Sequence, residues 1–195
     1  MELSPQAKER LAKIGALSSE ESETMMRSSL LDSILSQYFK GVISSEELWK
    51  ELKALRNQSG ESMVKEAQNK LIDTLRLQMN QADFEGRRSA ILAIETMKED
   101  GKYTTLELIS NSIESLRQKY QQQKEQAYQQ LKAAVERQLQ AVTQQALKQG
   151  MHIDMESSLE ANVKASPQWK DFISSHDKAN EEIFNSYINK LRELV

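Results

Sequence analysis

Residues 105–149 read TLELISNSIESLRQKYQQQKEQAYQQLKAAVERQLQAVTQQALKQ, a stretch with neither glycine nor proline and rich in good helix formers. It predicts one continuous α-helix, on the order of 65 Å long at 1.5 Å per residue, where three turns is ordinary. Its apolar positions are Ile109, Ile113, Leu116, Tyr120, Ala127, Leu131, Val135, Leu139, Val142 and Ala146. Counting the lapse at Lys124, they advance ten steps over 37 residues, or 3.7 per step. Ile109, Tyr120, Leu131 and Val142 stand eleven apart, which predicts a straight or gently right-handed pairing and not a heptad zipper. The stripe thins over Gln121–Gln126, so two partners are expected. The first half should pack on N-terminal helices, the second on the C-terminal helix or another subunit.

Punctuation on either side of this helix predicts further helices and no strands. The two prolines, Pro5 and Pro167, each follow a serine, which sets serine at an N-cap and proline at the first helical position. The six glycines fall at or near breaks in apolar periodicity. A short helix is expected from Pro5 to Ile14, with Ala7, Leu11 and Ile14 on one face. A second runs from Ser18 to Lys40 and buries Leu30, Leu31, Ile34, Leu35, Tyr38 and Phe39. A third runs from Ser44 to Arg56 over Leu48, Leu52 and Leu55. A fourth, after Gly60, carries Met63, Ala67, Leu71, Leu75 and Met79, and a fifth spans Phe84 to Lys98. Beyond the long sixth helix come a seventh, Asp154 to Ala165, and an eighth, Pro167 to Leu194. The eighth has a strong stripe: Trp169, Phe172, Ile173, His176, Ala179, Ile183, Tyr187, Leu191 and Leu194.

Two junctions look alike at an offset of sixty residues. Gly41-Val42-Ile43-Ser44 leads into Glu47-Leu48, and Gly101-Lys102-Tyr103-Thr104 leads into Glu107-Leu108. Each offers a helix-ending glycine, a Ser/Thr cap with glutamate three residues on, and a leucine that can staple back. Either a duplicated hairpin or repeated use of the same capping chemistry gives this pattern. The segment from Leu31 to Asn57 also resembles the short two-helix motif of SHOCT-type modules, too brief a stretch to carry a function.

The expected fold is therefore all-α, an elongated multi-helix bundle of seven or eight helices. Residues 1–103 would form a region of five short-to-medium helices. Residues 104–195 would add the long helix and two C-terminal helices, packed with the first region as one elongated unit.

Composition bounds the function. The net charge is −3, and the long stretch itself holds six basic against four acidic residues, so neither nucleic acid nor an anionic membrane is an expected partner. No run approaches a membrane span, and the N-terminus lacks the pattern of a secretory signal, so a cytoplasmic protein is expected. The chain has no cysteine and two histidines, which removes thiolate chemistry and most metal sites. Glu-x-x-His pairs of a di-iron bundle are missing, because Gln149 precedes His152 and Ile173 precedes His176 by three. His152, Asp154 and Glu156 read as a loop with an N-cap more readily than as ligands. No catalytic, metal or cofactor residues are assigned.

What remains is an interaction protein without enzymatic activity, self-associating as a dimer or joining another helical protein through its long and closing helices. The interface residues expected on that reading are Leu131, Val135, Leu139, Val142, Trp169, Phe172, Ile183 and Tyr187. A module that holds a small or lipidic ligand between its helices is the second reading, and an enzyme of unknown type the third.

Overall fold

The computed structural model describes residues 19–147 and 155–195. The helix expected over Pro5–Ile14 lies outside them, as do His152 and Asp154. Among the described residues there are seven helices and no strand. They are α1 (Ser19–Phe39), α2 (Ser45–Ser59), α3 (Glu61–Asp73), α4 (Gln81–Glu95), α5 (Tyr103–Leu147), α6 (Met155–Ala165) and α7 (Pro167–Leu194). The chain is an all-α, multi-helix protein with one very long helix. It divides into two compact units, residues 1–71 with 86–101, and residues 72–85 with 102–195.

In the first unit α1 packs on α2. Between them Gly41 stands at φ +69°, where only glycine sits without strain. Its N–H bonds to the Tyr38 carbonyl at 3.0 Å and that of Val42 to Gln37 at 2.9 Å, a complete Schellman stop. Ser44 then opens α2 with a capping box. Its N–H donates to Glu47 Oε2 at 2.7 Å, and Glu47 N–H donates to Ser44 Oγ at 3.2 Å. These bonds hold the exposed Glu47 carboxyl below its ordinary value. Leu31, Ile34 and Leu35 join Leu48, Leu52 and Leu55 in the core, with Val64, Ala67, Leu71, Ile91 and Ile94. Leu30 and Phe39, expected inside, are instead 50% and 39% exposed. Leu31, Ile34 and Leu35 span a narrow arc of α1, and these two lie on either side of it.

The junction at Gly101 is built differently from the one at Gly41. A Cβ at Gly101 would lie 2.9 Å from the Glu95 carbonyl oxygen, so this glycine serves a close approach of backbone to backbone. The long helix then starts earlier than expected, at Tyr103, with Leu106 N–H on the Lys102 carbonyl at 3.0 Å, and Thr104 is not its cap. The likeness of the two sequences is thus not a likeness of the two turns.

The expected fourth helix stops at Asp73. Leu75 and Met79 lie instead on a turn, where their N–H groups bond three residues back, to Ile72 and Arg76. Leu75 is still buried, which is why the apolar spacing ran on past the helix. Asn80 caps α4 through Oδ1, accepting from Asp83 N–H at 2.8 Å, one turn before the expected start.

In the second unit α5 runs unbroken through Gln121–Gln126, and its partners are α6 and α7, which also pack on each other. The C-terminal helices of the same chain are one of the two partners expected for its second half. The buried positions of its first half are Leu106, Ser110, Ile113, Arg117 and Tyr120. Those steps of four and three are a seven-residue spacing, not the eleven expected there. Ser110 and Arg117 hid it, because both are polar. Ser110 turns its hydroxyl onto the Leu106 carbonyl at 2.8 Å, and Arg117 is absorbed by the 74–80 turn. On α7, Ser166 caps as expected, accepting from Trp169 N–H at 3.2 Å, with Pro167 next. The buried face beyond His176 is Asn180, Phe184, Ile188 and Leu191. The expected Ala179–Ile183–Tyr187 line lies one residue away, about 100° round the helix, and Ile183 is 47% exposed.

Candidate functional site

Helical spacing sets Trp169, Phe172 and His176 on one face of α7, and they meet Tyr120 and Tyr128 of α5. Trp169 stacks on Phe172 with centroids 5.8 Å apart, Phe172 on His176 at 4.9 Å, and His176 on Tyr120 at 4.9 Å and 7°. Tyr128 meets the Trp169 ring edge-on at 5.4 Å. Aromatic pairs in these offset and edge geometries add about 0.5–1.5 kcal/mol each beyond their buried area.

Polar bonds fix the register of this stack. The Tyr120 hydroxyl donates to Asp177 Oδ1 at 2.8 Å, and the Gln78 amide donates to Oδ2 at 3.4 Å. Lys124 reaches the same hydroxyl at 3.3 Å. Burial first, then the bond to Asp177, pushes the Tyr120 phenol well above its ordinary value. His176 Nε2 faces the Tyr120 carbonyl at 3.2 Å and must carry the proton, since a carbonyl only accepts. Its Nδ1 accepts from the Asn180 amide at 3.2 Å, and that amide also donates to the His176 carbonyl at 2.8 Å. The phenol, imidazole and carboxylate each spend themselves on a neighbour. The cluster joins two helices.

Arg117 is the second polar anchor, and sequence reasoning missed it. It is 5% exposed. Nε donates to the Leu77 carbonyl at 3.2 Å and Nη1 to Gln81 Oε1 at 3.1 Å, while Nη2 donates to the carbonyls of Met79 and Asn80. The guanidinium lies 4.1 Å from the Phe84 centroid. Burial lowers its affinity for the proton, opposed by Glu114 and Glu85.

The expected interface residues do not form one patch. Trp169 and Phe172 belong to the stack. Leu131, Val135 and Leu139 continue from Tyr128 along α5 and are half-buried. Val142 lies outside the residues whose side chains are described. Ile183 and Tyr187 sit lower on α7, exposed and half-buried. With Tyr120 level with His176 and Tyr128 level with Trp169, the helices run antiparallel. That register sets Ile183 level with Ile113, about 27 Å from Leu131.

The first unit holds an apolar crevice of about 160 Å³ between α2 and α4, with Leu48, Trp49, Leu52, Ala90, Ala93 and Met97 in its walls. Trp49 is 36% exposed at the rim, and the Lys53 ammonium lies 4.7 Å over its ring. Small side chains at Ser89, Ala90 and Ala93 open the crevice. An indole beside an inward leucine was the signal available in the sequence. On α1, Met25, Met26 and Leu30 are 61%, 71% and 50% exposed. Among the described residues no three His, Cys, Asp or Glu gather as a metal site, and no helix is long and apolar enough to cross a membrane.

Residues 49–195 match the model of a family of unknown function (DUF6657), and the chain belongs to that family. No curated protein and no solved structure matches it.

Proposed function

We propose that this family member is a helical interaction protein without enzymatic activity, which self-associates as a dimer through the faces its long and closing helices leave open. The observation that carries this is Leu131, Val135 and Leu139, still half-buried with α6 alongside. Ile183 adds a second exposed apolar side chain on α7. Removing one large apolar side chain from water contributes roughly 1.5–3 kcal/mol, so a strip of three is worth covering. The partner face is helical, in the manner of a coiled coil, and belongs to a second copy or to another helical protein. The net charge of −3 supports a role without nucleic acid or an anionic membrane as partner.

Sedimentation velocity from 1 to 100 µM tests the reading; those concentrations bracket the micromolar range of weak dimers. A dimer is expected, shifted toward monomer by Val135→Lys with Leu139→Lys. A strict monomer throughout overturns it. The alternative, a module that takes a small ligand between helices, draws on the crevice between α2 and α4. At about 160 Å³ it suits one ring-sized apolar group, since drug-sized sites run to about 300–1,000 Å³.

A further inference from the structure

We propose that residues 5–14 fold back along α1 as a helix and cover its exposed methionine face, through a repeat of the turn that joins α1 to α2. The contact is made within one chain and stands apart from the α5–α7 surface proposed above.

The turn carries the inference. Gly41-Val42-Ile43-Ser44-Ser45-Glu46-Glu47 recurs twenty-six residues earlier as Gly15-Ala16-Leu17-Ser18-Ser19-Glu20-Glu21. At its later occurrence the motif stops one helix at Gly41, caps the next with the reciprocal Ser44–Glu47 bonds and lays α1 against α2. α1 starts at Ser19 and α2 at Ser45, the same place in both motifs. The Gly101 junction, whose turn differs, has Thr104-Thr105-Leu106-Glu107 there, and its helix starts two residues ahead of that place, at Tyr103. The positive φ of Gly41 and the 44–47 bonds lie within the motif itself, so the same residues direct the same reversal before Ser19. Ser22 stands where Leu48 does, which removes an apolar contact and leaves the capping bonds.

The two faces then meet. Ala7, Leu11 and Ile14 share one side of a helix. A reversal centred between residues 16 and 17 sets Ala7 level with Met26 and Leu11 level with Ser22. Met25, Met26 and Leu30 are 61%, 71% and 50% exposed, with Met26 and Leu30 four apart on one face. A helical side chain leans toward the N-terminus of its own helix, which carries Met26 toward Leu11, and the small Ala7 leaves it room. The segment is tethered beside this face at an effective concentration on the order of millimolar, an advantage that no separate chain has.

The chain has no cysteine, so introduced thiols report the contact directly. Ala7→Cys and Ser22→Cys leave Leu11 and Met26 in place. Both are made in one full-length chain, held at sub-micromolar concentration and treated with a short bismaleimide, and intact mass separates links within a chain from links between chains. The control carries Glu9→Cys with Ser22→Cys, its first thiol about 200° round the same helix from position 7. The 7–22 link within one chain should form roughly tenfold faster than the control link. Leu11→Glu or Met26→Glu should remove that advantage, since losing one large buried side chain is worth about tenfold or more. Gly15→Val should remove it as well, because a β-branched residue is closed to the positive φ of the turn. Circular dichroism checks that α1–α7 stay folded in each variant. Equal rates for the two pairs overturn the inference, since a tether alone does not choose a face. Links formed only between chains overturn it too, because a second copy then covers α1. Neither result bears on the α5–α7 surface, which sedimentation reads separately.

Discussion

Replacing Arg117 by methionine tests whether the 74–80 turn is held by one guanidinium. Methionine keeps the apolar stem over Phe84 and removes every donor. The carbonyls of Leu77, Met79 and Asn80 and the Gln81 amide oxygen then lose their donor. A buried acceptor left without a partner costs about 1–3 kcal/mol. Relief from holding a cation at 5% exposure offsets part of that sum. The net loss is about 2–4 kcal/mol. For a chain of 150–250 residues each kcal/mol moves Tm by about 2–4 °C, so a fall of roughly 4–16 °C is expected by circular dichroism at 222 nm. Arg117→Lys should recover only part of it, because an ammonium is a point donor and cannot fork to four acceptors. Trypsin should also cut faster at the exposed Arg76 in Arg117→Met, as the turn opens. A Tm within about 2 °C of the parent, or a lysine variant as stable as the parent, would refute the argument.

Two further substitutions probe local geometry. Gly101→Ala sets a Cβ 2.9 Å from the Glu95 carbonyl oxygen, and since that atom is backbone the cost should be about 1–3 kcal/mol; urea unfolding with no change in midpoint would contradict it. Tyr120→Phe acts through alkaline pH. The folded-state phenol is raised above its unfolded value near 10, so its share of stability is whole below about pH 10 and is lost as pH rises further. The parent should lose stability above that point more steeply than Tyr120→Phe. Tyrosinate absorbance at 295 nm checks it, and all five tyrosines ionising together near pH 10 with the chain still folded would sink the idea.

How far the sequence could be read depended on whether a position's role was apolar. Helices α2 and α7 were legible because capping serines, glutamate at N3 and Pro167 act within a few residues of themselves, and α5 because its stretch contains neither glycine nor proline. The Trp169–Phe172–His176 line was legible as a stripe. The buried positions Ser110, Arg117 and Asn180 were not, because each is polar: Ser110 and Asn180 turn back onto carbonyls one turn earlier in their own helices, and Arg117 finds its acceptors through tertiary packing. Leu75 and Met79 misled in the opposite sense. Their spacing fits a helix, but the turn is held by Arg117 from forty residues away, distant information no local pattern holds. The crevice beside Trp49 needs two helices to exist, and each helix alone shows only an amphipathic face.

The two tryptophans fall one to each unit, Trp49 beside the crevice and Trp169 within the aromatic stack. Each unit therefore carries its own fluorophore, one part-exposed beneath an ammonium and the other packed against Phe172 and Tyr128. Emission from a Trp169→Phe chain follows the first unit alone, and emission from a Trp49→Phe chain follows the second. With no native thiol to compete, an acceptor dye can be attached at a single introduced cysteine, and melting, docking and partner capture can each be assigned to the half of the chain in which it occurs.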